Sequence, residues 1–113
     1  MERDQVLEFY KSAVARYDEL KVKGAKTAYT AINGKMFSFV DDQARICLRF
    51  SETRKAELNA KYDTSDVIQY GAVMRGYVAL LDEVAGDGDE LERLFAESFE
   101  FAKTLKPKVT KKK

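Results

Sequence analysis

The sequence predicts an α+β fold in which helices pack on one antiparallel sheet to form two layers. Apolar residues recur at three- and four-residue spacing near both ends of the chain, as in amphipathic helices. Between them lie short runs in which apolar and polar residues alternate, separated by turn-forming residues. These observations predict the element order α-β-β-β-α-β-β-α. From a length of 113 residues, we expect one domain over residues 1–105 and a basic, disordered tail over residues 106–113.

The first helix is predicted over residues 4–22. Its apolar residues, among them Val6 and Tyr10, follow helical spacing on one side, and charged residues occupy the other side. Asp4 is a residue type that caps helix N-termini well, and Gly24 is a typical stop. We therefore expect the helix to lie between these two residues.

Three strands are expected next, joined by short turns into an antiparallel meander. Asn33-Gly34 is the strongest short signal for a hairpin, because both central residues of a type I′ turn need positive φ. It separates residues 25–32 from the strand Lys35–Val40, and Asp41-Asp42 forms the next turn. The third run, residues 45–50, alternates cleanly, which predicts a half-buried strand.

Strict alternation assigns the side chains of these strands to two faces of the sheet. In the second strand it separates two sets: Phe37 and Phe39 from Met36, Ser38 and Val40. In the third strand it separates another two sets: Ile46, Leu48 and Phe50 from Arg45, Cys47 and Arg49. We expect one face to be buried under the helices, and the other face or an edge strand to remain available.

The second half of the chain is predicted as a helix, two strands and a helix. Ser51 can cap a helix over Glu52–Tyr62. Val67–Tyr70 and Arg75–Leu81 have the apolar character of short strands, and Gly71 interrupts them.

The last helix is predicted from Asp87, as its N-cap, through Leu105, and Pro107 ends it. Glu90 follows Asp87 by three residues, which is the spacing of a capping box. The acidic run at residues 87–90 also raises the question of calcium, but an EF-hand loop starting there would have Leu91 at a ligand position. A helix cap therefore explains these residues better.

The composition argues against the commonest catalytic and metal-binding chemistry. The chain has no His and a single Cys, Cys47, which removes the usual general base, the commonest metal ligand and any intramolecular disulfide. It also has no phosphate-binding glycine motif. We therefore expect no enzyme activity, no cofactor and no metal site. The lone Cys, the charged N-terminus and the lack of a long apolar run predict a cytoplasmic protein that does not enter a membrane.

The net charge of +1 hides an uneven distribution. Residues 106–113 hold five Lys and no acid, so that residues 1–105 carry 15 basic and 19 acidic side chains, a net charge of −4. A domain that binds nucleic acid through its folded surface usually has the opposite balance.

Cys47 permits two interpretations. Arg45 and Arg49 flank it on the predicted strand face, and two cations this close can lower the pKa of a thiol and make it reactive. The alternative is a small, inert residue of a half-buried strand. Since neither a His nor a second Cys assists, we favour the inert alternative.

Aromatic residues are concentrated on the predicted strands: Tyr29, Phe37, Phe39, Tyr70 and Tyr77. Together with nearby cations, they could stack on single-stranded nucleic acid and hold its phosphates; these cations are Lys26, Lys35, Arg49 and Arg75. The alternative is that the rings pack under the helices, which is what we expect for aromatic residues in a small domain.

Three stretches of the chain resemble one known family. Tyr29–Phe39, which contains Asn33-Gly34-Lys35-Met36-Phe37, resembles the hairpin of the TfoX (Sxy) N-terminal domain family. Gln69–Val78 is similar to a later strand of that family, and Leu91–Lys108 is similar to its closing helix. The hairpin and the closing helix also resemble the YjbR-like family. The resemblance implies a secretion-chaperone-like fold, α-β(3)-α-β(2)-α, and a regulatory or interaction role without catalysis. TfoX proteins regulate bacterial competence, and YjbR-like proteins have been proposed to bind DNA.

The first functional hypothesis is a small, non-catalytic interaction or regulatory domain of the TfoX N-terminal type, with a protein partner or a second copy of itself. The alternative is a nucleic-acid-binding protein that uses the sheet face and the Lys-rich tail. The candidate partner surface has five residues: Lys35, Arg49, Tyr70, Met74 and Arg75. A third hypothesis places a small ligand or substrate beside Tyr70, Met74 and Arg75, where Gly71 and Gly76 permit close backbone approach.

Overall fold

The helices and strands follow the predicted order, with one short strand and one short helix in addition. The computed structural model describes residues 2–24, 28–32, 35–41, 43–62, 67–69, 71–74 and 76–105. The bounds of the elements are α1 Arg3–Val14, β1 Tyr29–Ile32, β2 Lys35–Val40, β3 Ile46–Arg49, α2 Glu52–Tyr62, β4 Val67–Gln69, β5 Ala72–Met74, β6 Tyr77–Ala79, α3 Asp82–Ala85 and α4 Gly88–Thr104.

Four strands form an antiparallel sheet in the order β1-β2-β3-β6. The predicted α+β class and the meander of the first three strands are therefore confirmed. Ile32 pairs with Lys35 across the predicted hairpin, while Asn33-Gly34 itself lies outside the described residues.

The chain between residues 67 and 81 forms three strands, where two were predicted. β4 and β5 pair with each other, because the chain reverses beside Gly71, whose φ of +78° favours glycine. β5 has only three residues, too few for alternation to reveal it. Tyr70 and Arg75, at the ends of the predicted strands, lie outside the described residues.

α1 begins and ends earlier than predicted. Glu2 is its N-cap, and the backbone N–H of Glu2 donates to Gln5 Oε1 at 3.2 Å. Asp4 lies in the first turn, where a carboxylate interacts favourably with the helix dipole, and does not cap the helix. The helix ends at Val14, and the chain continues in single hydrogen-bonded turns that still bury Leu20.

The pairing of β1 with β2 contains a β-bulge. Thr30 pairs with Ser38, but the next pair is Ala31 with Met36, so Phe37 is an extra residue in β2. An extra residue interrupts the period of two that side chains follow in a strand. On one side of the bulge, the side chains therefore lie on the opposite face from the one that strict alternation predicts.

The bulge turns Phe37 and Phe39 to opposite faces of the sheet. Phe37 packs against Phe95 and Phe99, with ring centroids 5.6 Å away in both cases. Phe39 packs on the other face against Tyr77 at 5.2 Å. The prediction that these two phenylalanines share a face is therefore wrong, because it assumed an uninterrupted strand.

One face of the sheet, the helix side, packs against α1 and α4 in the larger of two cores. The largest fully buried side chains of this core include Tyr10, Phe37, Phe50, Leu94 and Phe95. Burial of each such side chain contributes about 1.5–3 kcal/mol relative to exposure. The third-strand alternation is confirmed here, since one of its two predicted sets belongs to this core: Ile46, Leu48 and Phe50.

Three buried hydroxyl groups join α1 to the edge of the sheet. The Tyr10 hydroxyl and Ser38 Oγ are hydrogen-bonded at 2.7 Å, and Ser38 is also hydrogen-bonded to Thr30. Burial raises the pKa of Tyr10 to about 12, although the bonds to Ser38 and Thr30 act in the opposite direction. The three groups satisfy one another in an otherwise apolar environment.

α2 is held by a cap and an ion pair. Ser51 Oγ accepts from the backbone N–H of Arg54 at 3.2 Å, which confirms the predicted start of this helix. The Arg54 guanidinium donates to both carboxylate oxygens of Glu97 at 2.6 and 3.2 Å, and so connects α2 to α4. Because both side chains are about one-third exposed, we assign this pair at most about 1 kcal/mol.

Candidate functional site

A second, smaller core lies on the face of the sheet opposite the helix side. Its fully buried members come from four strands: Phe39, Cys47, Val67, Tyr77 and Ala79. Val67 belongs to β4, so the β4–β5 hairpin covers part of this face. Tyr29, Met36 and Met74 pack against the second core but remain partly exposed.

The partly exposed region around this core is called here the open sheet face, and it consists of Lys23, Tyr29, Ala31, Met36 and Met74. Directly paired residues share a face, and Ala31 pairs with Met36. Lys23 and Tyr29 exchange two backbone hydrogen bonds, of 2.9 and 3.0 Å, so the Lys23 side chain lies on the same side as Tyr29. The register thus brings a cation, an aromatic ring and two thioether side chains to one surface.

Arg49 lies at the border of the same face. It pairs with Tyr77, and its Cγ lies 3.6 Å from the position that a Cβ on Gly76 would occupy. Burial raises the pKa of Tyr77 to about 12, and the Arg49 guanidinium acts in the opposite direction. The Tyr77 hydroxyl donates to the carbonyl oxygen of Met36 at 2.7 Å, which connects β6 to β2 beneath the open sheet face.

Lys35 lies on the other side of the sheet. Its cross-strand partner Ile32 packs against the helix-side core, and paired residues share a face. Of the five predicted surface residues, the structure places Arg49 and Met74 on the same side and Lys35 on the opposite side. Tyr70 and Arg75 lie outside the described residues, so their part in the predicted surface stays a prediction.

Cys47 is a buried thiol beside a buried carboxylate. Burial, and secondarily Asp41, raise the pKa of Cys47 well above its usual range, while Arg45 acts in the opposite direction. Arg45 is bound to Asp41, with Nε 2.8 Å from Oδ2, so its charge is already paired. The structure therefore favours the inert alternative for Cys47, which is fully buried.

Charges are separated between the sheet and the helices. The described strands of the four-stranded sheet carry Lys35 and Arg49 and no carboxylate. Apart from Asp41, the described carboxylates lie on helices, at their N-caps or in the turn after α1. Among the described residues, the acidic side chains are therefore concentrated on the helical part of the surface.

The acidic run at residues 87–90 begins a helix, as predicted. Asp87 is the N-cap of α4, and its Oδ1 accepts from the backbone N–H of Glu90 at 3.3 Å. The Glu90 carboxylate accepts from Arg93 at 2.5 Å and from the Tyr62 hydroxyl, which together lower its pKa to about 2. Within the described ranges, no group of three or more His, Cys, Asp or Glu side chains is placed to hold a metal ion.

Comparison with known proteins leaves the family open: no family model matches the chain, and no curated protein matches it. In the part of the chain that the structure describes, none of the helices has the length and apolar character needed to cross a membrane.

Sequence reasoning missed Lys23, Ala31 and Met36 as parts of a common surface. Lys23 reaches it through an isolated bridge to Tyr29, which no local pattern indicates. Met36 reaches it because the bulge follows immediately. Asn33-Gly34 predicts a hairpin here, and Ile32 pairs with Lys35 as that prediction requires, but the register beyond the bulge requires the structure.

Proposed function

We propose that this protein is a small, non-catalytic interaction domain that binds a protein partner through the open sheet face. The observation that carries the proposal is the incomplete cover of the second core: Tyr29, Met36 and Met74 pack against it and still reach solvent. Apolar side chains that are exposed in one contiguous patch mark interaction surfaces. Thioether side chains in particular adapt to the shape of a partner.

A regulatory role of the TfoX N-terminal type and a cytoplasmic location are parts of the same proposal. The role is supported by the resemblance at the hairpin, the later strand and the closing helix. The location is supported by Cys47, a free thiol, since secreted domains of this size commonly pair their cysteines.

Self-association through the open sheet face is the less favoured version of this proposal. A two-fold dimer uses the same patch on both copies, so Lys23 and Arg49 would meet a surface of the same charge. We therefore expect light scattering to give a monomer for the isolated protein. A stable dimer that dissociates on Lys23→Glu would contradict this expectation.

Site-specific photo-crosslinking in the producing cell tests the proposed function. A photoreactive phenylalanine analogue replaces Tyr29 in one variant and Lys11, an exposed residue of α1, in the control. We expect a defined crosslinked protein band from position 29 that is absent from position 11. The same bands from both positions, or none from position 29, would contradict the proposal.

Nucleic-acid binding is the second candidate, and the charge separation favours it. The net charge of −4 in residues 1–105 argued against this function, but the described strands of the sheet carry no carboxylate. A mobility shift of single-stranded DNA at about 50 mM salt tests it, because low salt strengthens phosphate contacts. Retarded DNA that is released by Lys23→Glu would support this candidate, and unshifted DNA would remove it.

A further inference from the structure

We propose that the partner of the open sheet face is an extended, acidic stretch of polypeptide with apolar side chains between its carboxylates. This inference rests on the proposed function and adds the chemistry of the partner. The cations at the rim, Lys21, Lys23 and Arg49, would bind the carboxylates. Tyr29 and Met36, at the centre, would contact the apolar side chains.

The two lysines project toward the side of the open sheet face. Val22, which lies between them, packs against the helix-side core. In an extended chain successive side chains point in opposite directions, so Lys21 and Lys23 point away from that core. Both are exposed, and Lys23 is held in place by its backbone pairing with Tyr29.

The positions of the cations suit a linear partner. Lys23 is paired with Tyr29 on β1, and Ala31, two residues further along β1, is paired with Met36 on β2. Arg49 lies on β3, the next strand of the sheet. Three strand spacings make about 14 Å across the sheet. An extended peptide of about five residues covers this span at about 3.3 Å per residue. It would pass over the partly exposed Tyr29 and Met36, because Phe39 and Cys47 are buried.

Charge complementarity decides against a two-fold dimer through this face, since the same basic rim would face itself. The composition of the centre favours a peptide over nucleic acid. Single-stranded nucleic acid is usually held by several aromatic rings on which successive bases stack. The described part of the open sheet face offers one ring, Tyr29, while Ala31, Met36 and Met74 suit aliphatic side chains.

Selection from a random-peptide display library tests the inference. The immobilised protein is compared with K21E/K23E, in which both lysines are reversed, and with K11E, which reverses an exposed lysine of α1. We expect the unmodified protein and K11E to select peptides in which Asp or Glu alternates with apolar residues. The peptides that K21E/K23E selects should lack this excess of acidic residues and should carry Lys or Arg next to the same apolar residues.

A synthetic peptide taken from the selection then gives the size of the effect. K21E/K23E should weaken binding at least about fivefold at low salt, a change of about 1 kcal/mol. K11E should leave the affinity within about twofold. Added salt should weaken binding to the unmodified protein and have less effect on K21E/K23E.

Other outcomes separate the inference from the proposed function. Selected peptides without excess acid, whose binding is lost on Tyr29→Ala, would overturn the acidic chemistry and leave the interaction domain standing. Peptides that bind Tyr29→Ala and K21E/K23E as tightly as they bind the unmodified protein would overturn both the acidic chemistry of the partner and the proposed function. Preferential binding of a deoxythymidine oligonucleotide, weakened by K21E/K23E, would replace the peptide with nucleic acid as the partner.

Discussion

The two faces of the four-stranded sheet differ in how completely they are covered. On the helix side, α1 and α4 close over rings such as Phe37 and Phe95, which are fully buried. On the opposite face, the β4–β5 hairpin buries Phe39 and Tyr77 but leaves Tyr29 partly exposed. The helix side supplies most of the apolar burial that stabilises the fold, while the open sheet face keeps the partly exposed apolar surface that we propose binds a partner.

The bulge in β2 makes this division possible within one strand. Phe37 and Phe39 are two residues apart and would share a face in a regular strand. Because Phe37 is an extra residue, each ring anchors a different core. The same shift turns Met36 away from the helices and toward the open sheet face.

Truncation on the two faces should have the most unequal effects. Phe95→Ala removes a fully buried ring that contacts Tyr10, Tyr17 and Phe37, and we expect the free energy of unfolding to fall by about 3–5 kcal/mol. Met36→Ala removes a partly exposed side chain and should cost about 1 kcal/mol or less. Urea denaturation measures both changes. An equal fall in the free energy of unfolding for both variants would contradict the difference in burial between the two faces.

Alkaline pH should destabilise the fold through the buried Cys47 thiol, whose pKa is raised by burial, and through one buried tyrosine on each face. The pKa of Tyr10 and that of Tyr77 are raised to about 12 in the folded protein, whereas an unfolded tyrosine ionises near 10. Between these values the unfolded chain has released protons that the folded protein retains, so the free energy of unfolding falls as pH rises from about 10 to about 12. The loss approaches about 2 kcal/mol for each tyrosine.

Chemical denaturation at pH 9 and pH 11.5 checks this expectation. Tyr10→Phe and Tyr77→Phe should each be less stable than the unmodified protein at pH 9 and show a smaller further loss at pH 11.5. If both variants lose as much stability between the two pH values as the unmodified protein, these tyrosines do not account for the pH dependence.

Ser38→Ala should have a smaller effect, confined to the helix side. It leaves the Tyr10 hydroxyl and the Thr30 hydroxyl without their shared partner in a buried position. An unsatisfied buried hydroxyl costs about 1–3 kcal/mol, so we expect a loss in this range. The double variant Ser38→Ala with Tyr10→Phe should lose less than the two single changes together, because they remove one interaction. Strict additivity in urea denaturation would contradict the shared network.

The helices with local capping signals were predictable from the sequence. Ser51 and Asp87 are good N-caps, and α2 and α4 begin immediately after them. β5 was not predictable, since three residues give too short a pattern. The end of α1 at Val14 was also missed, because apolar spacing continues through turns that pack like a helix.

The candidate site was predictable only in part, because it depends on register. Arg49 was identified from its strand position and Met74 from its place beside Gly71 and Gly76, and both lie on the side of the open sheet face. Lys35 was grouped with them, but its pairing with Ile32 places it on the helix side. Lys23 was missed, since its pairing with Tyr29 joins segments that no short pattern connects.

The central claim is that the open sheet face is the binding surface. The most direct measurement records the amide NMR signals of the uniformly ¹⁵N-labelled protein while a selected acidic peptide is added. We predict that the largest shifts fall on Lys23, Tyr29, Ala31 and Met36, and that the exposed residues of α1 and α4 stay unchanged. Shifts concentrated on the helices, with the signals of β1 and β2 unmoved, would contradict the claim.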